Sequence, residues 1–457
     1  MVSMIRRSVR WALLVGGLLL AACEAGKAPR PTDQLLVGLL DDPVHYQPVS
    51  ASGEPGGFEY DVLLAFAEAQ HKTLRVVTAA NPAALLELLA RGDIDFAAAV
   101  PIQEAADVRF SMPLREARPL IVQHADALPV DDLDALANHV VEVLPGTIQE
   151  AALRQVAVSS TLTIENPRLA NGLELLERVS DHRSELAASD STHFDLAASY
   201  YPDIAIAQEL PGKVTYAWAF RPQDDAMRTQ ANTFIAKFVE DGGLAKVHDR
   251  YFGHIKRVNP IGASQFLRDM RATLPRYRSL FQEAQTVTGI DWRLLAALGY
   301  QESKWDPLAT SYTGVRGIMM LTEETADRMK VKNRLDPKES ILAGARYLAE
   351  LADRLPPEIR EPDRLWLALA AYNLGMGHLN GARQFAVGMN KDATSWYEMK
   401  KVLPLMARPE YYQRLKSGRA RGGEAVIMVE NVRTYYDILA RFETRQRLPL
   451  QTGLSMQ

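Results

Sequence analysis

Residues 290–322 read IDWRLLAALGYQESKWDPLATSYTGVRGIMMLT, and the interpretation of the whole chain starts from this stretch. Asp291 is a suitable helix N-cap, so a helix is predicted to begin here. Leu294, Leu298 and Glu302 recur every four residues, which puts Glu302 on the apolar stripe near the C-terminal end of that helix. Desolvation at such a position favours a protonated carboxyl group near neutral pH, as a general acid requires.

Taken alone, Glu302 is also explained as a capped or ion-paired glutamate at a helix end. The residues after Glu302 favour a role for it in an active site. Pro307 disfavours helix in the residue before it, so the helix is predicted to end here. In residues 311–320, Gly314 and Gly317 allow tight turning and close approach of a ligand to the backbone. An acid facing such a loop is suited to holding a sugar.

The composition limits the class of protein. With 457 residues the chain is too long for one ordinary hydrophobic core and suggests about three compact units. Hydrophobic residues make up 47% and charged residues 24%, which are ordinary globular values. A net charge of -4 argues against nucleic acid as the main partner, and the single cysteine excludes an internal disulfide framework.

The N-terminus has the features of a secretory signal. Basic residues precede the apolar run Trp11–Leu20, which is short for a membrane span. The run closes in Leu20-Ala-Ala-Cys23, which resembles a bacterial lipobox, where cleavage before the cysteine leaves it lipidated. Glu24 follows, and in enteric-type lipoproteins the absence of aspartate there favours the outer membrane. An ordinary signal peptide with an incidental cysteine, or an uncleaved anchor, is the alternative.

The first half of the chain alternates strand-like runs with amphipathic helical segments. Gln34–Leu40 is apolar without alternation, as expected for a buried strand of a parallel sheet. The alternation of strands and helices is typical of a doubly wound α/β unit. The next predicted elements are helix Val62–Gln70, strand Thr73–Thr78, helix Pro82–Arg91 and strand Asp93–Val100.

Three further segments of this half form a recognisable set: Gly57-Phe-Glu-Tyr-Asp61, Leu89-Ala-Arg-Gly92-Asp-Ile-Asp95 and Phe110-Ser111-Met-Pro113. With the opening strand, they make residues 34–255 similar to the periplasmic solute-binding proteins of the polar amino-acid class. The resemblance implies a bilobal α/β fold with a second lobe at about residues 125–215. We expect the chain to cross between lobes at Leu120–His124 and Tyr216–Phe220.

The sequence departs from that class at the ligand site. Amino-acid binders carry an arginine about six residues before the Phe-Ser pair, where it holds the ligand's carboxylate, and Glu104 stands there in this chain. A carboxylate would repel another carboxylate, so free amino-acid transport is not expected. Glu104, Asp190, Ser191 and Thr192 are the candidate contacts of a regulatory ligand, with a surface loop as the alternative for the last three.

The second half changes to helices without intervening strands, after a polar boundary at residues 256–275. The predicted helices are Ser264–Thr273, Arg276–Thr288, Trp292–Ser303, Glu323–Met329, Pro337–Arg354, Arg364–Asn373, Gly375–Gly388 and Val426–Arg441.

Four motifs occur in order in residues 276–445. Each is weak alone, whereas all four in order are specific. They are Gln301-Glu302-Ser303-Lys-Trp305-Asp306-Pro307, Ser311 with Gly314-Val-Arg-Gly317-Ile-Met319-Met320, Ala370-Ala-Tyr372-Asn373, and Glu424 leading to Val429-Glu-Asn431-Val432-Arg-Thr-Tyr435. This segment thereby resembles the catalytic domain of soluble-type lytic transglycosylases, relatives of goose-type lysozyme. With the front half, it points to a membrane-bound branch of these enzymes. The resemblance implies an all-α lysozyme-like domain.

The resemblance also implies roles for individual residues. Glu302 would be the catalytic residue acting on peptidoglycan glycan strands. Most members have a glutamine where this chain has Met320, and a tyrosine where it has Met428, so some sugar contacts differ. Ordinary helix or core packing is the alternative for several of the candidates. The candidate substrate contacts are Ser303, Ser311, Met319, Met320, Tyr372, Asn373, Glu424 and Tyr435.

The implied reaction uses one glutamate twice. Protonated Glu302 donates to the glycosidic oxygen between N-acetylmuramic acid and N-acetylglucosamine, then takes the proton of the muramyl C6 hydroxyl, which gives a 1,6-anhydro product. The substrate's acetamido group can serve as the internal nucleophile, so no second carboxylate is required. Asp306 is better explained as a helix-end cap. No cofactor and no metal are expected.

The sequence therefore predicts a peptidoglycan-cleaving lipoprotein on the periplasmic face of the outer membrane, whose front domain binds a cell-wall fragment such as a muropeptide or stem peptide. Two rivals remain: a lysozyme-type hydrolase, and a ligand sensor whose C-terminal domain binds glycan without cleaving it. The predicted segments are a signal peptide (1–22), a lipidated tether (23–33), the solute-binding-like domain (34–255), a linker (256–275), the transglycosylase domain (276–445) and a tail (446–457).

Overall fold

The computed structural model describes residues 33–50, 53–79, 81–103, 107–157, 161–414, 416 and 418–446. The predicted signal peptide, Cys23 and Glu104 lie outside the described residues. Within the described part of the chain, no helix combines the length and the apolar character that crossing a bilayer requires.

The first half contains two sheets and the helices that cover them. The strands are β1 (Gln34–Leu40), β2 (Thr73–Ala79), β3 (Phe96–Pro101), β4 (Arg109–Phe110), β5 (Arg115–Ala117), β6 (Pro119–His124), β7 (Val140–Val143), β8 (Thr163–Glu165), β9 (Leu186–Asp190), β10 (Ile204–Glu209) and β11 (Val214–Phe220). The helices are α1 (Phe58–Ala69), α2 (Pro82–Ala90), α3 (Ile148–Ala157), α4 (Gly172–Ser180), α5 (Ser191–Tyr200), α6 (Asp225–Glu240) and α7 (Gly243–Phe252).

The two sheets form two lobes. The first has the order β2-β1-β3-β11-β4, with β5 also paired to β11, and the second has the order β10-β6-β9-β7-β8. Strand β1 is parallel to β2 and β3, as its unbroken apolar pattern predicts. The chain enters the second sheet with β6 and returns to the first with β11, which contain the two predicted crossings. The bilobal α/β fold is confirmed.

The second half is helical, as predicted. Its helices are α8 (Pro260–Ala272), α9 (Arg278–Thr288), α10 (Trp292–Ser303), α11 (Glu323–Arg328), α12 (Pro337–Asp353), α13 (Asp363–Leu374), α14 (Met376–Gly388), α15 (Trp396–Val402), α16 (Pro409–Tyr412) and α17 (Gly422–Phe442). Both ends of α10 match the prediction. The sequence patterns missed α15 and α16, because helices of one or two turns carry too little periodicity to be recognised.

The predicted helix Ser264–Thr273 is present as part of α8, but the prediction that residues 256–275 form a linker is corrected. Residues 256–275 contain α8, which Asn259 caps by accepting a hydrogen bond from the amide of Gly262 at 2.8 Å. Phe266 of α8 is fully buried and packs against Tyr300 with ring centroids 4.6 Å apart. A segment that contributes a buried ring to the core is part of the helical domain, so the polar composition that suggested a linker belongs to the outer face of α8.

Helix α17 connects the two halves of the molecule. It packs against α10 and α13 in the helical domain, and it also contacts α5 of the second lobe. Arg433 of α17 donates hydrogen bonds to the carbonyls of Asp249 and Arg250 in α7, at 3.0 and 2.9 Å. Arg441, near the other end of α17, donates to Glu177 of the second lobe at 3.1 Å. Helix α17 therefore packs within the helical domain and also contacts both lobes.

Candidate active site

Helix α10 positions Glu302. The carboxylate of Asp291 accepts a hydrogen bond from the amide of Arg293 at 2.9 Å, which confirms the predicted N-cap. The apolar face of α10 is completely buried, with Leu298 at 0% exposure. The helix ends after Ser303, because Lys304 adopts a left-handed conformation with φ of 57°. Glu302 thus lies in the last turn of a rigid, buried helix.

The Glu302 carboxyl group is half-buried and lacks a charged partner. Among the described residues it receives no hydrogen bond and forms no ion pair. Burial alone raises the pKa of Glu302 to about 7, since desolvation disfavours the ionised form. Both protonation states are therefore populated near neutral pH, which suits a group that must first donate and then accept a proton.

Glu430 of α17 shows the opposite environment. Burial would raise the pKa of Glu430, but the charges of Arg433 and Lys400 lower it to about 2. Its carboxylate accepts hydrogen bonds from Trp396 Nε1 at 2.7 Å and from Arg433 at 2.7 Å. Glu430 is therefore an ionised structural residue, whereas Glu302, which has no cation beside it, exchanges a proton near neutral pH.

The glycine-punctuated loop is fixed to α10 and α12. Gly317 has φ of 80°, and a Cβ there would lie 1.9 Å from the carbonyl oxygen of Arg334, so only glycine fits. Ser303 Oγ lies 2.9 Å from the carbonyl of Ile318 and 3.1 Å from that of Gly299, and can donate to either. Ser303 thereby tethers the loop to the helix that carries the acid. Its predicted contact with substrate stays a prediction.

The two methionines of the loop occupy different environments. Met319 is 0% exposed and packs against Gly344, whose missing side chain makes room for it. The expectation that the Met319 side chain contacts the glycan is therefore corrected, because that side chain belongs to the core. Met320 is half-buried and has φ of 44°, a left-handed conformation uncommon for a residue with a side chain. Met320 stays a candidate contact.

Tyr372 of α13 is brought next to Glu302. Its hydroxyl donates a hydrogen bond to the main-chain carbonyl of Met319 at 2.7 Å. Burial, and after it the negative charge of Glu302 and the neighbouring Tyr347, raise the pKa of Tyr372 well above its usual value. Asn373 follows it on the exposed surface of the helix. Tyr372 and Met319 together form a wall of the site beside the acid.

Tyr435 of α17 lies in an aromatic cluster of the helical core. It is 5% exposed and packs between Phe266 and Tyr300, with ring centroids 4.6 and 5.0 Å away. Its hydroxyl lies 3.5 Å from Lys304 Nζ. The prediction of a substrate contact is corrected here, because an almost fully buried ring has no surface to offer a sugar.

Ser311 and Glu424 are predicted contacts that the structure places at the surface. The hydroxyl of Ser311 accepts hydrogen bonds from the amides of Thr313 and Val315 at 3.2 and 3.3 Å, which closes a turn of the loop. Glu424 lies in the first turn of α17, is exposed, and forms an ion pair with Arg421 at 3.4 Å. Neither makes a direct contact with Glu302 within the described residues, and both stay predictions.

Gln301 and Asn431 were not among the candidate residues, although both belong to the four motifs. Asn431 Nδ2 donates a hydrogen bond to Gln301 Oε1 at 3.2 Å, and this bond joins α17 to α10 one residue before Glu302. The signal was present in the sequence, since both positions are polar within otherwise apolar helices. Only the packing of the two helices shows that they are partners.

Asp306 has the structural role that was expected. It is exposed, and its carboxylate accepts a hydrogen bond from the amide of Leu308 at 2.9 Å. It therefore caps the turn after α10.

The front half has a cavity of about 600 Å³ lined by both lobes. Asp190 lines it, is 1% exposed, and caps α5. Thr192 Oγ1 accepts a hydrogen bond from Arg115 at 2.6 Å, and Ser191 Oγ accepts one from the amide of Arg118 at 3.1 Å. The alternative of a surface loop is corrected for Asp190, which ends a buried strand. Ser191 and Thr192 are engaged with the protein and do not line the cavity.

Comparisons with known proteins also divide the chain into a front half and a helical half. Residues 279–394 match the family described as Transglycosylase SLT domain, and residues 35–254 match Bacterial extracellular solute-binding proteins, family 3. Solved structures similar to the front half include a mutant of ArgBP from T. maritima, 21% identical with a TM-score of 0.44, covering 48% of this chain and 96% of that chain. Another is the GluR0 ligand-binding core from Nostoc punctiforme in complex with L-glutamate, 15% identical with a TM-score of 0.42, covering 48% of this chain and 99% of that chain.

The fold and the two family matches define a bilobal solute-binding-type domain joined to a transglycosylase domain. Over nearly its whole length the chain is similar to proteins called membrane-bound lytic murein transglycosylase F. The relative from Thiobacillus denitrificans is 42% identical, covering 95% of this chain and 93% of its own, and that from Nitrosospira multiformis is 38% identical, covering 93% and 91%. The chain belongs to the membrane-bound lytic murein transglycosylase F family.

Proposed function

We propose that this protein is a peptidoglycan lytic transglycosylase in which Glu302 acts as acid and then as base. The single observation that carries the assignment is the isolated, half-buried carboxyl group of Glu302, whose pKa burial raises to about 7. Its position in the acid motif of a matched transglycosylase domain supports the same role. The substrate is the β-1,4 bond between N-acetylmuramic acid and N-acetylglucosamine.

The proton of Glu302 goes to the glycosidic oxygen as its bond to muramyl C1 breaks, and the acetamido oxygen of the same sugar takes over at C1 as internal nucleophile. The Glu302 carboxylate then removes the proton of the C6 hydroxyl, and O6 displaces the acetamido oxygen from C1. The products are a 1,6-anhydromuramyl end and a free N-acetylglucosamine C4 hydroxyl. No water is consumed, and Glu302 ends the cycle protonated.

The carboxylates nearest in sequence or in the motifs have other roles, which supports a one-carboxylate mechanism. Asp306 caps a turn, Glu430 is held ionised by two cations, and Glu424 is exposed and paired with Arg421. A hydrolase with two catalytic carboxylates would need a second one across the scissile bond from the acid. This arrangement favours the lyase over the lysozyme-type rival.

Digestion of purified sacculi tests the reaction. The wild-type protein should release muropeptides with anhydro ends, which mass spectrometry separates from hydrolysed ends because they are lighter by one water. Glu302→Gln should release none, while Glu358→Gln, at an exposed glutamate of the same domain, should behave as wild type. Hydrolysed ends would establish the hydrolase, and no release by wild type would favour the glycan-binding rival.

The proposal for the front domain is that its cavity holds a cell-wall fragment, such as a muropeptide or stem peptide, and alters access to the lyase site. Contacts of α17 support coupling between the front domain and the lyase site. Thr434 donates a hydrogen bond to the carbonyl of His254 at 3.0 Å, Arg441 contacts the second lobe, and Asn431 bonds to Gln301 beside the acid. A change in the separation of the lobes would therefore strain the helix that supports the site.

Calorimetry of the full-length Glu302→Gln protein with defined muropeptides tests the front domain. Binding to that variant is measured without cleavage, and turnover of sacculi by the wild type is then compared with and without the bound fragment. Absence of binding, or binding without any effect on turnover, would contradict this part of the proposal while leaving the lyase assignment intact.

The location is proposed as the periplasmic face of the outer membrane, through lipidated Cys23. The supporting observations are the lipobox-like sequence and the membrane-bound naming of the relatives. Two or three acyl chains on one cysteine would form a stable anchor. Replacement of Cys23 by serine should move the protein from the outer-membrane fraction, and an unchanged fractionation would contradict the proposal.

A further inference from the structure

Four titratable side chains converge where the two lobes meet at the cavity. Asp42 and His45 follow β1 in the first lobe, and Asp190 and His193 lie where β9 joins α5 in the second lobe. All four line the cavity of about 600 Å³, and each is at least nine-tenths buried. They have no part in the transglycosylase chemistry.

The geometry of these groups is that of an incomplete metal site. A carboxylate oxygen of Asp42 and one ring nitrogen each of His45 and His193 all lie within 4.8 Å of one another. Ligands on a tetrahedral zinc ion at about 2.0–2.1 Å are roughly 3.3 Å apart, so the three groups would have to draw together to bind one ion. The imidazole and carboxylate donors match a divalent transition metal.

His45 provides a second, independent observation in favour of a metal site. His45 is 2% exposed, and its Nδ1 has no hydrogen-bond partner among the described residues. Leaving a buried nitrogen without a partner is costly, and such atoms are rare in folded proteins. An imidazole nitrogen that makes no hydrogen bond can offer its lone pair to a metal ion.

His193 also makes contacts that suit a metal ligand. Its Nδ1 lies 2.8 Å from Asp190 Oδ2, and its Nε2 lies 3.1 Å from Asp42 Oδ1. A carboxylate that holds one ring nitrogen while the other faces the metal is the arrangement that orients metal-binding histidines in proteins. Tyr216 donates a further hydrogen bond to Asp190 at 2.8 Å, which fixes that carboxylate in place.

We propose that Asp42, His45 and His193 bind one divalent transition-metal ion, with zinc as the reference ion, and that Asp190 orients His193. The fourth position faces the cavity and is open to water or to a ligand donor. On binding, the proton shared between His193 Nε2 and Asp42 is released to solvent, so one proton leaves for each ion bound. Because Asp42 and His45 belong to one lobe and His193 to the other, the ion links the two lobes.

Arg115 brings a positive charge near the site. Arg115 lies with its guanidinium carbon 4.1 Å from the centroid of the Tyr216 ring, donates to Thr192, and is not among the residues that line the cavity. The two aspartates offset the charge of the ion. This inference does not depend on the lyase assignment or on the identity of the organic ligand.

Calorimetry of chelator-treated full-length protein with Zn²⁺ alone tests the site. We expect one ion per chain, release of one proton detected as a dependence of the heat on buffer ionisation, and no comparable binding of Mg²⁺. The His45→Gln variant should weaken zinc binding at least about tenfold. The His45 side chain makes no hydrogen bond within the described residues, so this variant removes a ligand without breaking the existing network.

A matched control is available on the surface of the second lobe. His124, Asp126 and His182 form another cluster, of which two members are exposed. His182→Gln should leave the affinity and stoichiometry unchanged. The proposal is overturned if the wild type binds no zinc, if Mg²⁺ binds equally well, or if His182→Gln abolishes binding while His45→Gln does not. Absorption of bound Co²⁺, with its tetrahedral signature lost in His45→Gln, provides a readout independent of heat.

Discussion

The hydroxyl of Tyr372 lies 2.7 Å from the main-chain carbonyl oxygen of Met319 and donates its proton there. That proton is the only one the hydroxyl can donate, so Tyr372 does not donate to Glu302. Tyr372 instead holds the loop wall beside the acid. Ser340 supports the same loop residue, since its hydroxyl accepts a hydrogen bond from the Met319 amide at 3.3 Å.

Replacement of Tyr372 by phenylalanine should therefore loosen the loop without changing the acid. We expect a loss of about 1 kcal/mol in the free energy of unfolding, as for one intramolecular hydrogen bond. Turnover should fall while the pH dependence of kcat/KM keeps its midpoint. Denaturant unfolding and a pH series of sacculus digestion check both. A shifted midpoint would show that the hydroxyl acts directly on Glu302.

The pH profile of the wild type should follow the protonated form of Glu302. Since the pKa of Glu302 is raised to about 7, the reactive acid form is present below pH 7 and is lost above it. We expect kcat/KM to fall about tenfold for each pH unit above that midpoint. Below pH 7, Glu302→Gln should lower activity by about 100- to 10,000-fold, and the difference should shrink above that midpoint as wild-type Glu302 loses its proton. A profile still flat well above pH 7 would contradict the assignment of the acid.

Glu302 should also make the fold less stable at alkaline pH. Its folded-state pKa of about 7 lies above the ordinary 4.5, so the folded state holds the proton more tightly and stability declines as pH rises from 4.5 to 7. That difference corresponds to about 3 kcal/mol. Glu302→Gln should therefore be more stable than wild type at pH 8 and equal to it near pH 4, as measured by urea unfolding at the two pH values.

Glu430→Gln should have the opposite effect and serves as the matched comparison. Arg433 and Lys400 overcome the effect of burial and lower the pKa of Glu430 to about 2, so its ionised form contributes stability above pH 4.5 that is lost as the pH falls toward 2. Removing the charge leaves Arg433 and Lys400 with Asp249 as their shared carboxylate and should cost about 3 kcal/mol at pH 7. Equal effects of the two Glu→Gln changes would mean that their environments do not differ as described.

Alanine substitutions at two glycines of the loop would distinguish backbone strain from steric clash. Gly314 and Gly317 have φ of 82° and 80°, but a Cβ on Gly314 meets open space, whereas one on Gly317 meets the Arg334 carbonyl at 1.9 Å. Gly314→Ala should cost about 1–2 kcal/mol from conformation alone. Gly317→Ala should cost more and reduce activity, because the loop must move. Thermal unfolding of both variants tests this, and equal losses would show that the contact with Arg334 is relieved easily.

Local patterns in the sequence were sufficient for much of the fold. The unbroken apolar run of β1 indicated a buried parallel strand, and the N-cap and four-residue spacing placed both ends of α10 correctly. The prediction failed where an element depended on distant partners. Residues 256–275 were read as a linker because the burial of Phe266 depends on Tyr300, which lies in a different helix.

The candidate site likewise contains some residues that the sequence identified and others whose surroundings only the fold explains. Glu302 could be proposed as the acid from the sequence, because its helical stripe, the loop after it and the ordered motifs are all local patterns. The environments of Met319 and Tyr435 could not be predicted in this way, since both depend on which helices pack over them, and both side chains are buried in the core. The pairing of Gln301 with Asn431 likewise exists only after α10 and α17 come together.

The sequence by itself determined the class of each half, the order of many of its elements and the candidate acid, because these depend on short-range periodicity and on motifs that the chain carries in order. Only the tertiary structure decided what surrounds that acid and what meets between the lobes. Asp42 and His193 are far apart in the chain, yet lie 3.1 Å from each other in the folded protein. Long-range burial sets the pKa of Glu302, and long-range packing creates the cluster around His45, so no local pattern encodes either.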